Sequence, residues 1–315
     1  MTVKLNKALI TIIIFGITFS ILYSLFNLKY FDKNQEINKH LMIRGDLNLI
    51  WQESYEFKKD FVENHKIIGA GKEYTRTFLP SKILSMIYSI FNEKFYEDYE
   101  KKIISIGGKF KFLFFQVIVF YSSLFFFYKN LVRYYKNENS SLFIVGFLAL
   151  DPNIIQWHGT FWTESIFFSI QLILLSAIIS ERKSYINFFI VGILIGVSFL
   201  QKKVAIFLIF FVFVYFIFEE KEKKILKNLI MISGFLIVLF FLAFDNYKKT
   251  GIVYIMPTQT KSAHYVYIAQ RIVNKNEGNI ERLKIEEERW KKENRYDESD
   301  FKSNYEYLNF IQDQA

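Results

Sequence analysis

The chain contains no cysteine, which excludes disulfide bonds, a thiolate nucleophile and a cysteine-ligated zinc site. It has only three prolines, and it lacks a phosphate-binding glycine loop, a Gly-x-Ser-x-Gly elbow and a His-Glu-x-x-His motif. No segment predicts a soluble α/β domain that could bind a nucleotide. These absences argue against an ATP-driven pump and against an enzyme that uses a nucleotide sugar.

Long apolar runs dominate what the sequence does contain, since 52% of its 315 residues are hydrophobic. We therefore predict an all-α integral membrane protein, a polytopic transmembrane helix bundle. The first run follows Lys4 and Lys7 and has no small-residue cleavage site, so we predict a retained span. About seven spans are expected, at 8–28, 112–128, 142–156, 165–180, 186–200, 204–218 and 229–244.

Basic residues in the short loops predict how the bundle is oriented. The loops at 129–140, 181–184 and 219–228 are rich in lysine and arginine, and all three lie on one side of the predicted bundle. The positive-inside rule places that side, with the N-terminus, in the cytoplasm. The net charge of +9 is thus explained by orientation in the membrane and by attraction to anionic lipid headgroups, and it does not indicate binding to nucleic acid.

The opposite, outer side receives a large first loop at 29–111, in which apolar residues keep helical spacing from 79 to 95. We predict an amphipathic helix there that lies along the membrane surface, and a second one near 46–61. Residues 1–260 are expected to form the transmembrane core. Residues 261–315 are expected to form a charged helical extension on the outer side, where the chain is cut before its natural end or lacks a further domain.

Polar residues on the outer side are the candidates for chemistry, and each also has a purely structural interpretation. Asp46 follows a glycine and could be a cap or turn residue, and Asp151-Pro152 could be a turn. Glu164 could be a helix N-terminal residue favoured by the dipole, and His158 a hydrogen-bonded interface residue. Lys202 and Lys203 are either snorkelling lysines at a helix end or a phosphate-binding pair.

Four motifs occur in the same order as in a known superfamily. They are Arg44-Gly45-Asp46 in the first outer loop, Tyr74-Thr-Arg-Thr-Phe-Leu-Pro80, Asp151-Pro152-Asn153 followed by Thr163-Glu164-Ser165, and Gly192 to Gly196 followed by Leu200-Gln-Lys-Lys203. Their order and common sidedness resemble the GT-C superfamily of membrane glycosyltransferases. The branch with protein O-mannosyltransferases and the aminoarabinose transferase of lipid A is the most similar. The segment Asn246 to Gly251 also resembles a family turn, although Asp245 stands where arginine is usual.

The resemblance implies transfer of a sugar from a polyprenyl-phosphate donor to a hydroxyl acceptor at the outer face, with inversion. It implies that Asp46 is the general base and that Glu164 orients Asp46, the acceptor or a basic partner. Lys202, Lys203 and Arg76 are then the candidates for the donor phosphate. Sugar or acceptor contacts are expected from Tyr74, Trp157, His158, Trp162 and Asp151, although the aromatic residues could instead form an interfacial belt.

The expected partners are the lipid bilayer, the lipid-linked donor and a glycolipid, polysaccharide or protein acceptor. No cofactor is predicted; Asp46, Glu164 and His158 are metal-ligand types, but without a ligand-spacing motif we predict no metal. The expected location is a bacterial inner membrane, with the site facing the exterior. Two alternatives remain open: a glycolipid or polysaccharide transporter or flippase, and a non-catalytic membrane assembly protein.

The shared site predicts a common sidedness for three positions. Because the chain has no cysteine, single cysteines introduced at Asp46, Glu164 and Lys202 would be the only thiols. We expect a membrane-impermeant maleimide to label all three from outside. A position labelled only from the cytoplasm would contradict the shared-site model.

Overall fold

The computed structural model describes residues 6–33, 46–71, 78–98, 103–104, 107–159, 163–181, 184–220 and 222–255. Within these ranges, side chains are described except at 27–33, 46–49, 97–98, 103–104 and 107. The described part is almost entirely helical, which confirms an α-helical membrane protein as the fold class. The predicted extension at 261–315 lies outside the described residues.

The helices follow the apolar runs of the sequence. They are α1 Lys7–Lys33, α2 Asp46–Asn64, α3 Phe78–Ile90, α4 Gly107–Tyr135, α5 Glu138–Leu150, α6 Pro152–His158, α7 Glu164–Ile178, α8 Tyr185–Gln201, α9 Phe207–Glu219 and α10 Lys224–Thr250. Two short strands, β1 Tyr96–Asp98 and β2 Ile103–Ile104, pair antiparallel before α4. A 3₁₀ turn, Lys203–Ile206, joins α8 to α9.

Three of the described helices, α1, α4 and α10, are long and apolar enough to cross a membrane. Helices α5, α7 and α8 are apolar but shorter, with 13, 15 and 17 residues. At about 1.5 Å per residue, α5 is roughly 20 Å long, less than the ~30 Å of a bilayer core. The larger number of seven spans therefore stays a prediction.

The predicted span at 142–156 is wrong as a single helix, because α5 ends at Leu150 and α6 begins at Pro152. Asp151 between them is extended, with φ −64° and ψ 117°. A residue before proline is disfavoured in the helical region, and proline suits the first turn of a new helix. The Asp151 carboxylate accepts a hydrogen bond from the Asn153 amide at 2.8 Å, so the break is capped.

The bundle has two ends, which we call inner and outer after the predicted orientation. At the inner end, the Asn6 side chain donates to Glu138 at 2.5 Å, and the Tyr128 hydroxyl donates to the same carboxylate at 3.1 Å. The outer end carries the start of α7 and the ends of α8 and α10, with Glu164, Lys202 and Asp245. The assignment of the inner end to the cytoplasm stays a prediction.

Helices α2 and α3 pack against the outer ends of α4 and α7. Ile50 and Trp51 of α2 and Tyr88 of α3 are buried in one apolar cluster with Phe112 of α4 and Ile166 of α7. The cluster fixes the position of the first outer loop on the bundle through burial of apolar area. On the opposite face of α3, Met86 and Ile90 are exposed. The position of α3 along a membrane surface stays a prediction.

Three glycines allow α8 and α10 to approach closely. A Cβ atom at Gly192 would lie 1.8 Å from the Met231 carbonyl oxygen, and one at Gly234 would lie 2.3 Å from the Phe189 carbonyl oxygen. A Cβ at Gly196 would meet the Val238 side chain at 2.6 Å. Small residues at such crossings let helix backbones pack tightly in membranes. The Gly-x-x-x-Gly motif thus serves packing of α8, the helix that carries Lys202.

We expect Gly192→Ala to destabilise the protein by about 2 kcal/mol or more, since backbone must move to admit the methyl group. Gly146→Ala is the matched control, because its Cβ would meet only the end of the Ile12 side chain, at 3.6 Å. Unfolding in detergent monitored by circular dichroism measures both variants. Equal stability of the two variants would contradict the proposed close packing.

Candidate functional site

The outer end contains an ion pair between two of the predicted site residues. The Lys202 ammonium lies 2.6 Å from the Glu164 carboxylate, with side chains 28% and 19% exposed. Glu164 begins α7 and Lys202 ends α8, so each charge complements the dipole of its own helix. The ammonium also lies 5.5 Å from the centre of the Phe167 ring. The pair is therefore partly desolvated and partly exposed at the protein surface.

Backbone and side-chain hydrogen bonds hold the two helix ends together. The Gln201 side chain is buried and donates to the Thr163 carbonyl at 2.9 Å, next to both members of the ion pair. The Gln171 side chain donates to the Ser198 hydroxyl at 2.9 Å, which adds a second bond between α7 and α8. The Lys202 amide donates to the Ser198 carbonyl at 2.8 Å. The ion pair is thus built on a fixed junction.

Lys203, the second predicted phosphate ligand, opens the 3₁₀ turn and is partly exposed. The two lysines therefore differ in backbone setting, because Lys202 is the extended C-cap of α8 with φ −144° and ψ 124°. The Lys202 ammonium forms an ion pair with the Glu164 carboxylate. An ammonium has three donors, so this contact leaves two for another anion.

His158, a predicted sugar or acceptor contact, has no exposed surface. Its Nδ1 shares a hydrogen bond with the Ser165 hydroxyl at 2.8 Å, and its ring centre lies 4.6 Å from that of Phe120 and 6.1 Å from that of Tyr121. Burial lowers the pKa of His158 to about 3. A buried neutral imidazole offers no surface to a sugar, so we reassign His158 to packing between α6 and α7.

The remaining predicted contacts are only partly described. Asp151 is partly exposed and acts as the cap of α6, and Trp157 of that helix is partly exposed as well. Asp151 also lies at one end of an apolar groove of about 740 Å³ between α1 and α5. Tyr74, Arg76 and Trp162 lie outside the described residues.

Asp46 is the first residue of α2, and its side chain lies outside the described residues. Ile50, about one helical turn further along α2, is buried in the cluster that contains Ile166 of α7. The first half of α2 therefore packs in the same apolar cluster as the first turn of α7, the helix that Glu164 begins. Of the predicted site residues, the structure joins Glu164 to Lys202 and leaves the side chain of Asp46 undetermined.

A second charged cluster at the outer end was not predicted from the sequence. Asp245 of α10 accepts hydrogen bonds from Lys82 of α3 at 3.1 Å and from the Gly69 amide at 3.0 Å. Lys249, one turn further along α10, lies 3.2 Å from the other oxygen of Asp245. Burial lowers the pKa of Lys82, while Asp245 opposes that shift. The only sequence signal was an aspartate at the end of an apolar run.

Metal ligation has no support within the described part of the chain, where no three His, Asp or Glu side chains group closely enough to hold an ion. The absence of a metal requirement stays a prediction, because the side chain of Asp46 is among those not described.

Comparison with known families gives a match over residues 102–244, to the family described as dolichyl-phosphate-mannose-protein mannosyltransferase. The match confirms the resemblance to GT-C membrane glycosyltransferases and indicates a glycosyltransferase of mannosyltransferase type. It covers a little under half of the chain, including Glu164 and Lys202 but not Asp46, Lys82 or Asp245. No curated protein and no solved structure matched the chain.

The buried His158 predicts a specific loss of stability in acid. Its pKa is about 3 in the folded protein and near 6.5 when unfolded, so the unfolded state binds an extra proton below about pH 6.5. Stability is then lost as the pH falls from 6.5 toward 3, by about 1.4 kcal/mol per unit. We expect His158→Asn to remove this contribution to the pH dependence of the free energy of unfolding, measured in detergent between pH 6.5 and 3.

The control is His65→Asn, which makes the same substitution at an exposed position. An identical slope in wild type and His158→Asn would show that His158 is not buried as a neutral ring.

Proposed function

We propose that this protein transfers a sugar from a polyprenyl-phosphate donor to a hydroxyl acceptor at the outer membrane face. The observation that carries the proposal is the Glu164–Lys202 ion pair, which lies at the outer end within the segment that matches the family. The matching family is described by a lipid-phosphate-linked sugar donor, and the apolar helices supply the membrane setting for such a lipid.

The donor phosphate is the proposed ligand of Lys202. Glu164 holds the ammonium at the end of α8, and the two remaining N–H donors are available to phosphate oxygens. As the sugar–phosphate bond breaks, negative charge grows on the departing phosphate, and a fixed cation stabilises that charge most in the transition state. Glu164 is thus the orienting partner of Lys202, with Lys203 and Arg76 as further phosphate ligands.

Asp46 is the proposed general base. It accepts the proton of the acceptor hydroxyl while that oxygen attacks the anomeric carbon, and polyprenyl phosphate leaves from the opposite face with the bonding electron pair. A single displacement of this kind inverts the anomeric centre. The anchoring of α2 by Ile50 in the same cluster as Ile166 supports a position of Asp46 near the start of α7.

Sugar binding is assigned to Tyr74, Trp157 and Trp162, whose rings can stack on a pyranose or furanose face, with Asp151 as a polar contact. Glycolipid, polysaccharide and protein hydroxyls are all suitable acceptors, and both hexoses and pentoses fit the proposal. A bacterial inner membrane, with this end facing the exterior, is the proposed location.

The transferase proposal is tested with purified protein, radiolabelled polyprenyl-phosphate mannose, other labelled hexose and pentose donors in turn, and a membrane extract as the source of acceptors. We expect wild-type protein to label an acceptor. Asp46→Asn should lower the rate by about 10²- to 10⁴-fold because the base is lost. Lys202→Met should lower it by about 10²- to 10³-fold because the leaving phosphate loses its cation.

Lys129→Met is the matched control for Lys202→Met. Lys129 is also a lysine against an aromatic ring, 4.4 Å from the centre of Phe125, but it lies near the inner end of α4. The Lys129→Met variant should retain wild-type transferase activity. Absence of transfer by wild-type protein to any acceptor, or equal loss in the two lysine variants, would contradict the proposal. Movement of the labelled donor between the two leaflets of a vesicle membrane, without transfer of the sugar to an acceptor, would favour a flippase.

A further inference from the structure

The charged cluster around Asp245 connects parts of the chain that are far apart in sequence. We call Gly69, Lys82, Asp245 and Lys249 the Asp245 clamp. Its central carboxylate binds the Gly69 amide at 3.0 Å, Lys82 at 3.1 Å and Lys249 at 3.2 Å. The side chains of Asp245 and Lys249 are 3% exposed, and that of Lys82 is 13% exposed. A single buried carboxylate thereby ties the first outer loop to the end of α10.

The clamp reaches α2 through several further contacts. Lys82 lies 4.9 Å from the ring centre of Phe57 on α2, and it also donates to the Ile67 carbonyl at 3.3 Å. The Asp60 carboxylate of α2 accepts from the Gly71 amide at 2.7 Å, within the turn that Asp245 holds. Lys82 and this turn therefore connect α10 to the second half of α2.

A further contact joins α2 to α3. The Lys58 ammonium donates to the Tyr88 carbonyl of α3 at 3.3 Å. Helix α2 is thus connected directly to α3, and it is connected to α10 through Lys82 and the turn at 69–71.

Polar contacts of this kind constrain geometry more tightly than apolar packing does. Apolar side chains tolerate repacking when their total volume is kept, whereas a buried carboxylate needs its donors at defined distances. Removal of the Asp245 charge would leave the Lys82 and Lys249 ammonium groups without their shared counter-ion in a desolvated place, and removal of Lys82 would take away the link from α3 to α10. Ion pairing at this position is therefore suited to holding an element in one place.

We propose that Asp245 and Lys82 are positioning residues, which hold α2, and with it the backbone at Asp46, in place relative to the Glu164–Lys202 pair. The catalytic consequence rests on the proposed transferase function, whereas the structural consequence does not. Neither residue is proposed to touch the substrate. Their effect passes through α2, whose residue Ile50 packs in the cluster with Ile166 of α7.

Distances between spin labels test the positioning directly and without any activity. Because the chain has no cysteine, Val62→Cys on α2 and Val204→Cys after α8 introduce the only two thiols. Both positions are exposed, at 52% and 63%. Pulsed electron–electron double resonance in nanodiscs should give a narrow distribution of distances between the two spin labels. Lys82→Met and Asp245→Asn should each broaden or shift it, because Lys82→Met keeps an unbranched side chain but removes the charge, and Asp245→Asn removes the central carboxylate.

Lys227→Met is the matched control on the same helix. Lys227 pairs with Glu220 at 2.5 Å, and the two side chains are 14% and 7% exposed, so this pair is similarly buried. It lies at the inner end of α10, away from the first outer loop. Lys227→Met should therefore leave the distance distribution as in the wild type, even where it lowers the stability of the protein.

Kinetics measure the catalytic consequence. In the variants Lys82→Met and Asp245→Asn we expect kcat to fall by about 10- to 100-fold, because small misplacement of a catalytic group is costly. The KM for the donor should stay within about twofold, since the Glu164–Lys202 pair is retained. Lys227→Met should change neither constant.

A wild-type distance distribution in both clamp variants would overturn the proposal, and so would equal broadening in Lys227→Met. A matched fall in kcat for the clamp and control variants would overturn its catalytic part. If wild-type protein transfers no sugar, the proposed function fails, while the distance measurement still decides whether the clamp positions α2.

Discussion

The pairing of charge in a desolvated setting is the constraint on which the outer end of this bundle depends. An apolar helix bundle can admit an ionised side chain only if an opposite charge or several hydrogen-bond donors accompany it. Glu164 meets this condition with Lys202, and Asp245 meets it with Lys82 and Lys249. The Glu164–Lys202 and Lys82–Asp245 pairs each join different helices, so the same contacts that make charge tolerable also connect the helix ends. Close glycine contacts between α8 and α10 then place the two charged centres at the ends of helices that pack directly against each other.

Periodicity of apolar residues was enough to predict the helices, because burial in lipid or in a bundle needs long apolar faces. The same periodicity could not detect the break at Asp151, where backbone restriction by Pro152 outweighs a continuous apolar pattern. Glu164 and Lys202 were predicted as separate site residues from motifs. Their pairing depends on how α7 and α8 pack, which no local pattern in the sequence states.

The assignment of His158 was wrong for a related reason, since a histidine in a polar loop looks accessible until its neighbours are known. In the fold it is enclosed by Phe120 and Tyr121. The Lys82–Asp245 contact was missed because it joins residues that are 163 positions apart in the sequence. Burial and long-range pairing are products of tertiary packing, and sequence spacing carries little information about either.

The short helix α5 has a consequence for the surrounding lipid if it crosses the membrane, as the sequence predicts. A helix shorter than the hydrocarbon layer can be accommodated by local thinning of the bilayer, at a modest cost per ångström of mismatch. The headgroup layer beside α5, which ends at Leu150, would then dip toward the mid-plane and meet the capped break at Asp151. Hydrophobic mismatch would thus bring a lipid phosphate to the polar stretch between α5 and α7, and the proposed lipid-linked donor would reach the protein without leaving the membrane.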